Sequence, residues 1–137
     1  MNIVLFEPEI PANTGNIGRT CVATGTRLHL IEPLGFRLNE KQIKRAGMDY
    51  WKDLDVTLYD NYEDFLTRNP GAKIYMATTK ALNTYTDVSY EPDCYIMFGK
   101  ESSVHFKSDI GVAEIHIKSD GDVFFYVKQE GITQCTI

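Results

Sequence analysis

Short apolar segments of strand length alternate with segments of helical pattern over roughly the first 100 residues, and this alternation constrains the fold most. The strand-like segments are rich in β-branched and aromatic residues, and they are NIVLF (2–6), RLHLI (27–31), VTLY (56–59), KIYMA (73–77) and CYIMF (94–98). Strands joined through helices need crossover connections, which give a mostly parallel sheet with helices on both faces. The sequence therefore predicts an α/β fold whose ligands bind beyond the carboxyl ends of the strands.

Three helices are predicted between these strands. The first is opened by Asn13 and Thr14, two residue types that cap helices well. The second lies in NEKQIKRAG (39–47), with Asn39 as its N-cap and Gly47 as its end. The third lies in NYEDFLTRNPG (61–71), whose inward side chains are predicted to be Tyr62, Phe65 and Leu66.

Length and charge narrow the class of protein. A chain of 137 residues fits one domain with its own core, and a net charge of −5 argues mildly against a general nucleic-acid coat protein while permitting a local basic patch. No apolar run is long enough to cross a bilayer, and MNIVLF lacks the features of a signal peptide. We therefore expect a cytoplasmic protein with no membrane contact.

The cysteines favour neither a disulfide framework nor a metal site. Cys21, Cys94 and Cys135 are odd in number and far apart, and no Cys/His cluster with zinc spacing occurs. Cys21 and Cys94 lie in apolar contexts and are predicted to be core residues. We expect no metal cofactor.

The segment PEIPANTGNIGRTC (8–21) follows the first strand directly and is unusually rich in Pro, Asn and Gly. It matches neither the dinucleotide nor the P-loop fingerprint. A helix that starts here would offer N–H groups and the positive end of its dipole to an anion. Arg19, one turn further, could donate two hydrogen bonds to the same anion. The alternative, an ordinary capped helix with Arg19 in solvent, is equally compatible with the sequence.

A second cationic feature lies in KQIKRAG (41–47), where Lys41, Lys44 and Arg45 form one face of a helix. Such a face is either a solvated surface, the commoner case, or a contact to nucleic acid. Tyr50 and Trp51 follow, and they could stack on a base or, as is commoner for such a pair, pack in a core or interface.

Two further strand ends carry unusual residues. ATTK (77–80) supplies two hydroxyls and a lysine, and FGKE (98–101) places a glycine where a ligand could approach the backbone. Glu101 could accept a hydrogen bond from a ligand or cap a helix. No catalytic triad, carboxylate pair or metal ligand set is visible.

Taken together, NIVLFEPEIPANTGNIGRTCVATGTRLHLIEPLGF, KRAGMDYW, ATTK and YIMFGKE resemble the tRNA 2′-O-methyltransferases of the SPOUT superfamily, in particular the small branch that modifies the wobble cytidine or uridine of leucine tRNAs. The resemblance covers residues 1–101. It implies an α/β fold with a deep trefoil knot, S-adenosylmethionine (SAM) as methyl donor, the tRNA anticodon loop as partner, and a homodimer with a shared active site.

The resemblance also implies roles for individual residues. Its first motif corresponds to Asn13, Gly15, Asn16 and Arg19, which form the substrate side. The helix residues Lys44 and Arg45 would add contacts to the anticodon loop. Its cofactor loops correspond to Ala77, Thr78, Gly99 and Glu101. Because guanidinium does not lose its proton in proteins, Arg19 is expected to act as the catalytic clamp on phosphate and developing alkoxide rather than as a base.

The tail departs from this family. After Glu101 the chain contains no Leu, Asn, Arg or Pro, so the family's third motif, which threads the knot and completes the cofactor pocket, is absent, as is its terminal helix. VAEIHIK-SDGD-VFFYVKQ (112–129) instead predicts a β-hairpin. Residues 1–137 are read as one domain with an atypical, hairpin-like part at 102–137. This tail is either the product of a shifted reading frame or a diverged element, and in both cases the absence of the third motif leaves the completeness of the knot open.

Three functions remain open from the sequence. The first is an RNA 2′-O-ribose methyltransferase, and the second is an inactive RNA-binding or dimerising remnant that lacks a complete SAM pocket. The third, an unrelated nucleotide-binding α/β module, requires the agreement of several motifs in order and spacing to be chance.

Overall fold

The computed structural model describes residues 1–45, 48–77 and 85–99 and four short strands of the tail at 104–106, 113–115, 124–125 and 135–136. For residues 40, 44 and 45 and for the tail strands it describes the backbone alone. The predictions for Gly47, for the third-motif region and for the knot lie outside the described residues.

Five parallel strands form the centre of the sheet: β1 (Asn2–Phe6), β2 (Arg27–Ile31), β3 (Val56–Tyr59), β4 (Ile74–Ala77) and β5 (Tyr95–Phe98). Their order across the sheet is β3-β2-β1-β5-β4. The predicted α/β fold with a mostly parallel sheet is confirmed, and the strand boundaries agree with the apolar segments to within one residue. The order reverses direction next to β1, which makes the end of β1 a topological switch point where α/β proteins bind ligands.

Helix α1 (Pro11–Thr24) begins two residues before the predicted cap. Its N-cap is Ile10, which makes no side-chain cap, and Pro11 stands at the first helical position. The prediction that Asn13 and Thr14 cap this helix is therefore wrong. Proline already has the helical φ angle and lacks the N–H that a cap would satisfy, so it starts the helix without a polar side chain.

The other two predicted helices are confirmed. In α2 (Glu40–Arg45) the Asn39 side-chain oxygen accepts a hydrogen bond from the Gln42 N–H at 2.9 Å, as expected of an N-cap. Helix α3 (Tyr62–Arg68) is capped in the same way by Asn61. A 3₁₀ helix (Asp49–Asp53) precedes β3 and another (Tyr85–Asp87) precedes β5.

The sheet has an apolar core on each face, because successive strand residues point to opposite sides. One core lies under α3 and contains Val4, Ile31, Tyr59, Phe65, Ile74, Met76 and Met97. The other lies under α1 and contains Leu5, Cys21, Leu28, Leu30 and Leu54. Cys21 and Cys94 are buried as predicted, and burial is the main cause that raises the pKa of each thiol.

The α3 side of the sheet also holds a buried chain of hydrogen bonds centred on His29, which is 5% exposed. Its Nδ1 lies 2.8 Å from the Tyr59 hydroxyl and its Nε2 lies 3.2 Å from Oδ1 of Asn2. The chain continues through Asn69, whose Nδ2 donates to the Tyr59 hydroxyl and whose Oδ1 accepts from Tyr95. Each of these buried or half-buried polar side chains thus has a partner, as burial in an apolar core requires.

The tail strands pair differently from the predicted hairpin. Strand β6 (Val104–Phe106) pairs antiparallel with β7 (Ala113–Ile115), while β8 (Phe124–Phe125) pairs antiparallel with Ala77 of β4 and with β9 (Cys135–Thr136). Within the described residues, the predicted pairing of 112–118 with 123–129 is wrong. Alternating polarity identifies a strand but not its partner, and the edge of β4 offers backbone groups to which a tail strand can bond.

Candidate functional site

A cavity of about 280 Å³ lies at the carboxyl ends of β1 and β5 and against the first turns of α1. Its lining consists of Leu5, Pro8, Asn13, Thr14, Asn16, Ile17, Phe98 and Gly99. Strand ends supply the apolar wall, and the helix supplies two amides and a hydroxyl. The cavity therefore lies where the parallel sheet predicts a ligand site.

The structure brings three of the predicted site residues together at this cavity. Asn13 and Asn16 are one turn apart on α1, and Gly99 follows β5 on the opposite wall. The positive end of the α1 dipole lies at the same place, because the cavity touches the first turns of the helix. This arrangement suits a ligand with polar or anionic groups next to an apolar part.

The remaining predicted site residues lie elsewhere or outside the described residues. Ala77 ends β4 beside Phe98 and is fully buried. Lys44 and Arg45 lie in α2, and only the backbone of these two residues is described. Thr78 and Glu101 lie outside the described residues.

Arg19 does not line the cavity but lies on the neighbouring face of α1, three residues after Asn16, with an exposed side chain. Its guanidinium carbon stands 5.3 Å from the centre of the Tyr50 ring. A ligand that extends from the cavity toward the C-terminal end of α1 would therefore contact Arg19 after Asn16.

Thr14 was predicted only as a cap, and the structure gives it a different position. It is 1% exposed, it lines the cavity, and its hydroxyl has no hydrogen-bond partner among the described residues. A buried hydroxyl without a partner destabilises a fold by about 1–3 kcal/mol. No pattern in the sequence distinguishes such a threonine from a capping one.

Replacing Thr14 by valine is expected to raise the free energy of unfolding by about 1 kcal/mol, because valine has nearly the same shape and leaves no polar atom unsatisfied. Urea unfolding of both proteins measures the difference. Thr20→Val is the matched control on the same helix, since the exposed Thr20 hydroxyl donates to the Asn16 carbonyl at 3.2 Å, and we expect it to change stability by less than about 0.5 kcal/mol. A destabilised Thr14→Val protein would show that the hydroxyl has a partner.

The loop that leaves β2 fixes the entry into α1. The Gly35 N–H donates to the Pro8 carbonyl at 2.9 Å, and a Cβ atom on Gly35 would stand 2.7 Å from Cα of Glu9. Real Cβ atoms do not approach backbone so closely, so the contact requires glycine. Sequence reasoning missed this contact because the two residues are far apart in the chain.

Among the described residues there is neither a membrane-spanning helix nor a cluster of metal ligands. No described helix has the length and apolar character needed to cross a membrane. In the same part of the chain no three His, Cys, Asp or Glu side chains are grouped so that they could hold a metal ion.

A mostly parallel sheet with a cavity at its carboxyl edge, walled by an asparagine-rich helix start, defines an α/β protein with a candidate ligand site at a topological switch point. The profile of the SpoU rRNA methylase family matches residues 1–121, and the chain belongs to that family.

Relatives of known name agree with this assignment. The tRNA (cytidine(34)-2′-O)-methyltransferase of Escherichia coli strain K12 is 47% identical over 102 residues, which cover 74% of this chain and 65% of that protein. A Listeria monocytogenes protein named for the same activity is 47% identical over 105 residues, 74% of this chain and 62% of its own length. The chain thus spans less than two thirds of each of these two relatives.

Solved structures give the same result. A Bacillus anthracis crystal structure described as that of an RNA methyltransferase aligns with a TM-score of 0.68 at 45% identity, over 74% of this chain and 65% of that one. A structure described as giving insights into the 2′-OH methylation of C/U34 on tRNA aligns with a TM-score of 0.67 at 42% identity, over 74% of this chain and 67% of that one. The resemblance to SPOUT tRNA 2′-O-methyltransferases is therefore confirmed.

Proposed function

We propose that this protein is a SAM-dependent tRNA 2′-O-ribose methyltransferase that acts on the wobble nucleotide of the anticodon loop, in leucine tRNAs by resemblance. The observation that carries the proposal is the 47% identity to the E. coli enzyme named for cytidine 34 over 102 residues. The family profile, which matches residues 1–121, covers the cavity and every predicted site residue. A tRNA substrate also agrees with the predicted cytoplasmic location.

The residues at the cavity fit a nucleoside ligand. Leu5, Ile17 and Phe98 offer an apolar wall to a base, while the Asn13 and Asn16 amides can bond to ribose or phosphate oxygens. Gly99 presents backbone without a side chain, and the unpartnered Thr14 hydroxyl is a polar group that a bound ligand could satisfy. SAM, when bound, supplies an electrophilic methyl group. The cofactor roles of Ala77, Thr78, Gly99 and Glu101 belong to this proposal.

In this proposal the chain acts mainly by position and charge. Asn13 and Asn16 orient the nucleotide at the start of α1. Arg19 holds the neighbouring phosphate and stabilises the negative charge that develops on the 2′-oxygen as the hydroxyl proton passes to water, while the guanidinium keeps its own protons. Holding the oxygen in line for transfer contributes much of the rate. The α2 residues Lys44 and Arg45 hold the rest of the anticodon loop, which proteins read through phosphates and stacked bases.

Methyl transfer from radiolabelled SAM to unmodified leucine tRNA tests the proposal. We expect label to enter the wobble nucleotide, and we expect none to enter a matched tRNA that carries a 2′-deoxyribose at that position, since it lacks the accepting oxygen. Analytical ultracentrifugation of the same preparation tests the proposed homodimer. If the folded protein binds tRNA and transfers no label, the second function, a non-catalytic RNA-binding remnant, is the correct one.

A further inference from the structure

The segment after α2 crosses the middle of α1 at very short range. A Cβ atom on Gly15 would lie 2.9 Å from Sδ of Met48, and one on Gly18 would lie 3.2 Å from Cδ2 of Leu54. The two glycines thus let the 3₁₀ helix (Asp49–Asp53) rest on α1. Both glycines belong to the motif that bears Asn16 and Arg19.

Tyr50 contacts this surface of α1 in two ways. Its hydroxyl donates to the carbonyl oxygen of Gly15, and its ring lies beneath Arg19, whose guanidinium carbon is 5.3 Å from the ring centre. Gly15 and Arg19 are four residues apart and therefore share a face of the helix. The hydroxyl fixes the ring to the helix, and the ring face then supports the guanidinium of the next turn.

The chemistry of the pair suits a stable arrangement. A cation within about 6 Å of the centre of an aromatic ring is attracted by the negative face of that ring. Burial raises the pKa of Tyr50 and the charge of Arg19 lowers it in part, with burial the larger effect. The phenol therefore stays protonated at neutral pH and keeps its bond to Gly15.

We propose that Tyr50 is a positioning residue that holds the Arg19 guanidinium ready for the RNA phosphate. This inference rests on the proposed function for the role of Arg19 and deepens it. A free arginine side chain loses conformational entropy when it binds a ligand. A side chain already supported by a ring loses less, so it binds an anion more tightly. In the alternative left open by the sequence, Tyr50 stacks on an RNA base and contributes to RNA binding independently of Arg19.

A double-mutant cycle on RNA affinity tests the proposal, with an anticodon stem-loop RNA as the probe. We expect Tyr50→Leu to weaken binding by about fivefold and Tyr50→Phe, which keeps the ring face, to weaken it by less than about twofold. In an Arg19→Ala background, Tyr50→Leu should have no further effect, because it acts through Arg19. Equal losses from Tyr50→Leu in both backgrounds would overturn the proposal, since they would show a general structural role or direct stacking on RNA.

An NMR measurement without RNA separates this proposal from the proposed function. The Tyr50 ring should shift the Arg19 side-chain Nε–H resonance upfield, and the shift should be kept in Tyr50→Phe and lost in Tyr50→Leu. An unchanged Arg19 resonance in Tyr50→Leu would overturn the positioning role whatever the RNA results. A wild-type protein that shows the ring shift but binds no RNA would overturn the proposed function and leave the placement of Arg19 by Tyr50 confirmed.

Discussion

Arg19→Ala is expected to lower kcat/KM for methyl transfer to tRNA by about 100-fold, the usual loss when one group that stabilises a developing oxyanion is removed. Arg19 is exposed, lies one turn from Asn16 at the edge of the cavity, and makes its described contact with the Tyr50 ring. Its removal should therefore leave the fold intact. Steady-state kinetics with radiolabelled SAM give the rate, and urea unfolding gives the stability.

Arg27→Ala is the matched control for this prediction. Arg27 begins β2 at the amino end of the sheet, far from the cavity, and forms an exposed ion pair with Asp55 at 3.0 Å. The Arg27→Ala substitution removes the same charge as Arg19→Ala. We expect it to change kcat/KM by less than about twofold, because exposed ion pairs contribute little to stability. Arg19→Lys keeps the positive charge but loses the planar guanidinium group. Its kcat/KM should therefore lie between those of Arg19→Ala and Arg27→Ala. Equal losses for Arg19→Ala and Arg27→Ala would show a general effect of net charge and contradict the assigned role.

Acidification from pH 6.5 to about 4 is expected to reduce the free energy of unfolding by about 3 kcal/mol through His29 alone. Burial is the main cause that lowers the pKa of His29 from 6.5 to about 4, while Asp55 opposes it and Arg27 and Arg68 add to it. The unfolded chain therefore binds more protons than the folded one within this window. The stabilisation is complete above pH 6.5 and is lost as the pH falls through the folded-state pKa.

The hydrogen-bond chain explains why the charged form does not fit. Oδ1 of Asn2 can only accept, so Nε2 of His29 carries the proton and Nδ1 accepts from the Tyr59 hydroxyl. That hydroxyl already accepts from Asn69. A proton on Nδ1 would place a second donor against Tyr59 and leave the Tyr59 proton without its acceptor. Protonation therefore breaks a buried network as well as burying a charge.

Urea unfolding of the wild type and of His29→Gln between pH 4 and 7 measures this effect. The variant should be less stable at pH 7 but should lose less stability on acidification. His105 and His116 are present in both proteins, so their titration cancels in the comparison. Parallel stability curves for the two proteins would show that His29 does not carry the acid sensitivity.

The parts of the fold that local sequence determines could be predicted. Apolar segments of four or five residues gave strands with nearly correct bounds, and the cap Asn39 was visible because its side chain bonds to its own helix. The start of α1 was misplaced because two good cap residues follow a proline that makes a cap unnecessary. The hairpin was misassigned because strand pairing depends on which edges are free.

The site could be predicted in its residue types but not in its arrangement. Asn13, Asn16 and Gly99 meet at one cavity because β1 and β5 are neighbours, a fact of topology that no local pattern contains. The same is true of Tyr50, whose commoner use in packing is the one observed and whose ring supports Arg19 from 31 residues away in the sequence. The lack of a hydrogen-bond partner for the buried Thr14 hydroxyl depends on its three-dimensional surroundings, which no local sequence pattern contains.

The close approach of Gly35 to Glu9 affects how mutational data on this protein should be read. Any larger side chain at position 35 would push on the backbone that leads into α1, and so would move the asparagines of the cavity without touching a ligand. A scan that ranks positions by their tolerance to substitution would place Gly35 beside Arg19 for this reason. Intolerance at position 35 would then reflect the spacing between two loops, whereas intolerance on the exposed face of α1 would bear on the proposed contact with RNA.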